Sequence, residues 1–125
     1  MAKIALNGIV EMHRGDTITL PIEINSGTTF KTVLYELKPG DNLYFAVMEP
    51  HQKWEDAILK KTFDYTDFNT KYLCVLVHLY TEDTEYLHPG TYYYEVKLRK
   101  AQINTEDGHE SVETIVPRTK FIIIE

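Results

Sequence analysis

Along most of the chain, apolar and polar residues alternate with a period of two, the spacing of a strand with one buried face. "TITLPIEI", residues 17–24, puts Ile18, Leu20, Ile22 and Ile24 on one face and Thr17, Thr19, Pro21 and Glu23 on the other. Pro21 has no N–H to give to a ladder, which assigns this strand to a sheet edge or a bulge. In "TYYYEVKLR", Tyr92, Tyr94, Val96 and Leu98 share one face, while Tyr93, Glu95, Lys97 and Arg99 share the other. The tyrosine run is therefore split: two rings point inward as large fillers whose hydroxyls need partners, and one stands among charges. Two stretches are apolar on both faces. "DNLYFAVME" sets Leu43, Phe45 and Val47 against Tyr44, Ala46 and Met48, and "KYLCVLVHLY" sets Leu73, Val75, Val77 and Leu79 against Cys74 and Leu76. Such strands belong in the middle of a sheet or beneath a covering layer.

Turn signals separate these runs. "KPGD" (38–41) and "HPGT" (88–91) place Pro before Gly as a type II turn uses them, and "NSGT" (25–28) reads as a turn. Asp107-Gly108 in "NTEDGHE" predicts a β-hairpin with a primed or bulged turn. A strand is expected within "AILKKTFDY", and "KFIIIE" supplies a last one with Phe121 and Ile123 on one side and Ile122 and Ile124 on the other. One helical segment competes: "TEDTEYL" offers Thr81 as N-cap with Glu82 and Asp83 behind it, enough for one or two turns before Pro89. Roughly seven to nine short strands with regular turns predict an all-β fold, an antiparallel immunoglobulin-like β-sandwich with one short helical crossover. An open barrel is the alternative. The 125 residues make one domain, 1–125.

The composition, 43% apolar and 26% charged, is that of a soluble globular chain, and no run approaches the length of a membrane span. The N-terminus lacks an apolar segment followed by a small-residue cleavage site, so the protein is expected to stay in the cytoplasm where it is made, or to leave by a route that needs no signal. A formal net charge of −6 argues against a sequence-independent nucleic-acid binder and favours a protein or neutral glycan as partner. Cys74 is the single cysteine, so no intramolecular disulfide forms; between apolar neighbours it reads as an inert core thiol.

Neither serine, Ser26 in its turn nor Ser111 in a predicted strand, stands in a nucleophile elbow, and no enzyme activity is expected. The five histidines show no pair at ligand spacing; His78 and His88 flank the helical crossover and are the pair that could meet in space. A polar hairpin explains "NTEDGHE" better than a calcium loop does, because the ligand spacing is absent. No cofactor or metal is expected. "RGD" (14–16) matches an integrin tripeptide formally but sits between two strands, which makes it a turn. The remaining signal is aromatic. Trp54 stands in a polar context, and Tyr65, Phe68, Tyr72, Tyr80 and Tyr93 are candidates for partial exposure. Exposed rings stack on sugars or anchor a protein partner, with Trp54, Tyr93 and Tyr80 the candidate contacts. The plainer reading of Trp54 is a cap folded over one end of the sandwich.

"RGDTITLPIEI", "DNLYFAVMEP", "LVHLYTEDTEYLHPGTYYYEVKL", "DGHESVETIVP" and "KFIIIE" occur in that order. The series resembles the small immunoglobulin-like domains of bacteriophage tail and baseplate proteins, especially the N-terminal domain of upper-baseplate proteins from phages of Gram-positive bacteria. Its most specific part is the strand, the Thr-Glu-Asp-Thr turn, Leu-x-Pro-Gly-Thr-Tyr-x-Tyr and the alternating strand that follows. The family continues into a fibre-forming region, whereas this sequence ends at Glu125. The resemblance implies a non-enzymatic virion structural protein, an accessory or adaptor of tail, baseplate or neck, with other phage structural proteins as partners, a homo-oligomer as a plausible state, and no nucleic-acid or membrane partner. Docking is then expected through apolar strands and free edges, with Ile18, Leu20 and Ile22 in one candidate edge and Ile122 and Ile124 in another. The rival expectation is a carbohydrate-binding or host-receptor adhesion module.

Overall fold

The alternating segments pair into two sheets whose apolar faces meet. The computed structural model describes residues 3–4, 8–28, 31–101 and 111–125. The larger sheet has the strand order β1 (Lys3–Ile4), β2 (Val10–His13), β11 (Ser111–Ile124), β10 (Gly90–Lys100), β6 (Asn42–Met48), β7 (Leu59–Phe63). The smaller sheet has the order β3 (Ile18–Ile22), β9 (Cys74–Leu79), β8 (Phe68–Asn69), and β4 (Asn25–Thr28) with β5 (Lys31–Leu34) forms a separate ladder. The helix α1 (Thr81–Thr84) carries the chain from β9 in one sheet to β10 in the other. The described pairs are antiparallel except β2 with β11, which run parallel from Phe121↔Val10 to Ile124↔His13. With β3, β8 and β9 in the places of strands B, D and E, and β6, β10 and β11 in those of C, F and G, the arrangement is that of an immunoglobulin-like sandwich.

The core lies where the pattern puts it. Leu20, Ile22, Val75, Val77 and Leu79 from the smaller sheet pack against Leu43, Phe45, Val47, Val96, Leu98 and Phe121 from the larger. Tyr92 and Tyr94 are buried with them, and both hydroxyls find partners: Tyr92 donates to the His88 carbonyl at 2.7 Å, and Tyr94 to the Gly8 carbonyl. The Tyr92 bond, from the start of the F-type strand back to the chain just before it, is the tyrosine corner of such sandwiches. Tyr94 also contacts Phe45, at 5.7 Å between ring centroids, and Phe121 edge-on at 6.2 Å.

Several local readings need correction. "NSGT" is strand β4, laddered against β5, because a ladder partner supplied by the chain farther on outweighs local turn preference. The terminal segment holding Ile122 and Ile124 is not an edge: β11 is paired with β10 on one side and β2 on the other. The N-cap of α1 is Tyr80 rather than Thr81, since the Asp83 carboxylate reaches back to accept the Tyr80 N–H at 2.7 Å. "KPGD" is the expected turn, with Asp41 N–H donating to the Lys38 carbonyl at 2.9 Å and Gly40 at φ 91°. "HPGT" departs from type II, since Gly90 at φ 154° opens directly into β10 and the His88 carbonyl serves Tyr92. The Asp107-Gly108 turn lies outside the described residues; the β10–β11 ladder runs up to Lys100↔Ser111, with a shift of register on either side of Val96.

Candidate interaction surface

The outer face of a sandwich sheet meets water, so alternate residues there are expected to be polar. β9 breaks that rule. While Val75, Val77 and Leu79 point into the core, Cys74, Leu76 and His78 point out, and Tyr80 follows in the same phase. Cross-strand register sets Pro21 beside Leu76, Thr19 beside His78 and Asn69 beside Cys74 on this face. Tyr72 joins from the turn before β9, where Leu73 adopts φ 55° and the Asn69 side-chain oxygen accepts the Lys71 and Tyr72 N–H groups at 3.0 Å each. The stripe Tyr72, Cys74, Leu76, His78, Tyr80 thus runs the length of the smaller sheet, with Cys74 at its floor (2% exposed), Leu76 half-buried, and the tyrosines at its ends 60% and 51% exposed.

Two open grooves lie on either side of Leu76. One, of about 480 Å³, is bounded by Pro21, Glu23, Tyr72 and Cys74. The other, of about 440 Å³, includes Lys61, Asp67, Asn69, His78 and Tyr80. Each terminal tyrosine carries a lysine against its ring, Lys71 at 5.3 Å from Tyr72 and Lys61 at 5.1 Å from Tyr80, and Lys61 is also bonded to Asp83 at 2.9 Å. His78 Nδ1 and Thr19 Oγ1 share a hydrogen bond at 2.8 Å. Burial, and secondarily the Glu23 carboxylate, push the Cys74 thiol above its ordinary pKa, which keeps it protonated and unreactive.

β3 flanks this face and is the outermost strand of its sheet, as Pro21 indicated. The side chains of the edge candidates do not dock: Leu20 and Ile22 are buried in the core and Ile18 packs against it, so the edge presents backbone, with one donor missing at Pro21. Ile122 is half-buried, and Ile124 is exposed at the end of β11.

The aromatic candidates do not converge. Trp54 sits in a 3₁₀ turn, Trp54–Asp56, over the outer face of the larger sheet beside Tyr44 and Thr62. It caps a face rather than an end, with Lys97 Nζ at 4.6 Å from its ring. Tyr93 is half-buried, with the Arg118 guanidinium 5.8 Å from its ring centroid. That guanidinium also binds Glu95 at 3.2 Å, Met48 Sδ at 3.0 Å and the Gln52 carbonyl, which fastens the 49–52 loop over the sheet. Tyr80 belongs to the other sheet. Tyr65 is exposed, whereas Phe68 turns inward from β8.

"RGD" forms the expected turn between β2 and β3. Gly15 takes φ 81° and donates its N–H to Thr84 Oγ1 at 3.0 Å, and Arg14 pairs with Glu125 at 3.3 Å. Among the described residues no group of three or more His, Cys, Asp or Glu side chains is placed to hold a metal ion, and no helix is long and apolar enough to cross a membrane. The stripe itself was foreshadowed by the two-faced apolar pattern of "KYLCVLVHLY". The strand is indeed central in its sheet, but no described element lies over its outer side. Comparison with family models, curated proteins and solved structures finds no match for the chain.

Proposed function

We propose that this chain is a non-enzymatic structural component of a bacteriophage virion, an accessory or adaptor of tail, baseplate or neck, that assembles by docking the outer face of its smaller sheet on another structural protein. The observation that carries the reading is the stripe from Tyr72 to Tyr80, where an apolar strand face ends in two exposed tyrosines and borders β3, an outermost strand of its sheet among the described residues. Rigid aromatic ends around an apolar centre are the usual anchors of a protein interface, because they bury much area at little entropic cost. The phage assignment rests on the resemblance of the sequence series to tail and baseplate domains. A carbohydrate-binding reading through Trp54, Tyr93 and Tyr80 has less support, since the three rings do not share one face: Trp54 and Tyr93 lie on the larger sheet and Tyr80 follows β9 of the smaller.

The test is incorporation into particles assembled in infected cells. Leu76→Arg is expected to lower the amount of this protein per purified particle at least about tenfold, the equivalent of ~1.4 kcal/mol. Val112→Arg, at an exposed position of β11, is expected to leave incorporation unchanged. Normal incorporation of the Leu76 variant would count against this face, and absence of the wild-type protein from particles would count against the virion assignment.

A further inference from the structure

We propose that the groove beside Trp54, on the outer face of the larger sheet, binds one acidic sugar residue of a glycan whose charges are spaced by neutral sugars, with Lys60 and Lys97 taking its carboxylate. The groove lies on the sheet opposite the docking face and does not depend on that reading. Register builds it. Thr62, Tyr44 and Lys97 stand side by side across β7, β6 and β10, and Lys60, Ala46 and Glu95 form the adjoining row. The turn Trp54–Asp56 packs on β6, where Ala46 is the smallest side chain of the two rows and lets a ring come down close to the sheet. The result is an open groove of about 230 Å³ lined by Tyr44, Trp54, Lys60 and Thr62. Its two rings offer the kind of surface on which the C–H face of a pyranose stacks, and the Thr62 hydroxyl beside them can donate or accept.

Charge selects the sugar. The chain carries a formal charge of −6, yet no described carboxylate lines this groove. Lys61 also borders it but is bonded to Asp83, and Glu95, the one acid of the two rows, is bonded to Arg118. Lys60 and Lys97 are in no ion pair among the described residues: Lys60 Nζ donates to the Glu55 carbonyl at 3.1 Å, and Lys97 Nζ stands 4.6 Å from the Trp54 ring centroid. An ammonium has three donors, so each keeps donors for an anion. The two lysines are rooted on the strands either side of β6, about 10 Å apart at the backbone, so a carboxylate held over Tyr44 is approached from both sides. A nucleic acid brings a charge with every unit, which an acidic chain repels beyond the groove, whereas uronates separated by neutral sugars bring one charge to the site.

Trp54 is the only tryptophan, so tryptophan fluorescence reads this groove alone. The purified chain is titrated with a hyaluronan hexasaccharide, in which glucuronate alternates with a neutral sugar, and with the same hexasaccharide after reduction of its carboxyls to alcohols. Calorimetry repeats each titration independently of the fluorophore. The expected result is saturable binding that weakens between about 0.05 and about 0.5 M NaCl. Carboxyl reduction, Lys60→Gln and Lys97→Gln are each expected to weaken it at least about fivefold, the loss of a charge-assisted contact. Lys71→Gln, on the smaller sheet, is expected to bind as wild type, and circular dichroism checks that every variant is folded. No saturable binding, equal binding of the reduced sugar, or indifference to both groove lysines overturns the site. Binding of a thymidine tetranucleotide as tight as that of the hexasaccharide overturns the glycan as its ligand. Leu76→Arg, which judges the docking face by particle incorporation, is expected to bind the hexasaccharide unchanged, so the two readings fail in different measurements.

Discussion

Asp41 shows how far a single residue can be read before its surroundings are known. "KPGD" predicts the turn correctly, and Gly40 supplies the positive φ that the turn requires. The second role of Asp41 depends on residues far along the chain: its carboxylate accepts the Ala101 N–H at 2.7 Å, the Lys38 N–H at 3.0 Å and the Tyr35 hydroxyl, while only 2% of it is exposed. Ala101 also comes so near that a Cβ on Gly40 would stand 2.7 Å from its own, which makes glycine necessary there twice over. Burial pushes the Asp41 carboxyl up, but the hydrogen bonds from Ala101, Tyr35 and Lys38 outweigh it and hold the pKa below 3.8; burial and the same carboxylate push the Tyr35 phenol up. A folded-state pKa below the unfolded one contributes stability above the unfolded value, and that contribution is lost as the pH falls through the folded value. Asp41→Asn is expected to cost about 2 kcal/mol at pH 7, within the range for hydrogen bonds to a charged group. The gap between wild type and variant in urea unfolding should narrow as the pH drops below about 4, and a gap of constant size down to about pH 2 would contradict the assignment.

At the scale of elements, period-two alternation located strands well and their neighbours poorly. The face assignments of Ile18 to Ile24 and of Tyr92 to Leu98 hold, because one buried face fixes them locally. Whether a strand is an edge depends on partners distant in sequence. Pro21 was informative because a missing N–H is a property of the residue itself, and β3 is indeed outermost. Nothing in "KFIIIE" reveals that it lies between β10 and the parallel β2, since β2 is at the other end of the chain. Pro21 then has a role the topology makes testable: it removes one donor from an edge that no described strand pairs, and so blunts indiscriminate strand addition. Pro21→Thr restores a donor and a strand-favouring side chain. It is expected to raise light scattering on gentle heating well before the unfolding midpoint, with that midpoint little changed. Scattering indistinguishable from wild type would mean that the edge is protected by something other than Pro21.

On the scale of the whole molecule, the sandwich was legible and the assignment of strands to sheets was not, because the ladders that define each sheet join residues far apart in sequence. The consequence of that assignment is that neither sheet owns the core. Leu20 and Val77 of the smaller sheet belong to the same buried cluster as Phe45, Tyr94 and Phe121 of the larger. At one end the bond from Gly15 to Thr84 further ties the turn between β2 and β3 to the helix that crosses from sheet to sheet. A chain built this way unfolds as one unit, and damage to one sheet must be felt in the other. Leu20→Ala leaves a cavity in the smaller sheet's contribution to the core and is expected to cost about 2–5 kcal/mol. Trp54 reports from the far side of the larger sheet, beside Lys97, with no contact to Leu20 among those described. In urea, the Trp54 fluorescence transition and the far-ultraviolet circular dichroism transition of the variant should therefore move together to the same lower midpoint. If Trp54 kept its wild-type midpoint while the dichroism shifted, the two sheets would be separate cooperative units, and the shared core would not be what holds them together.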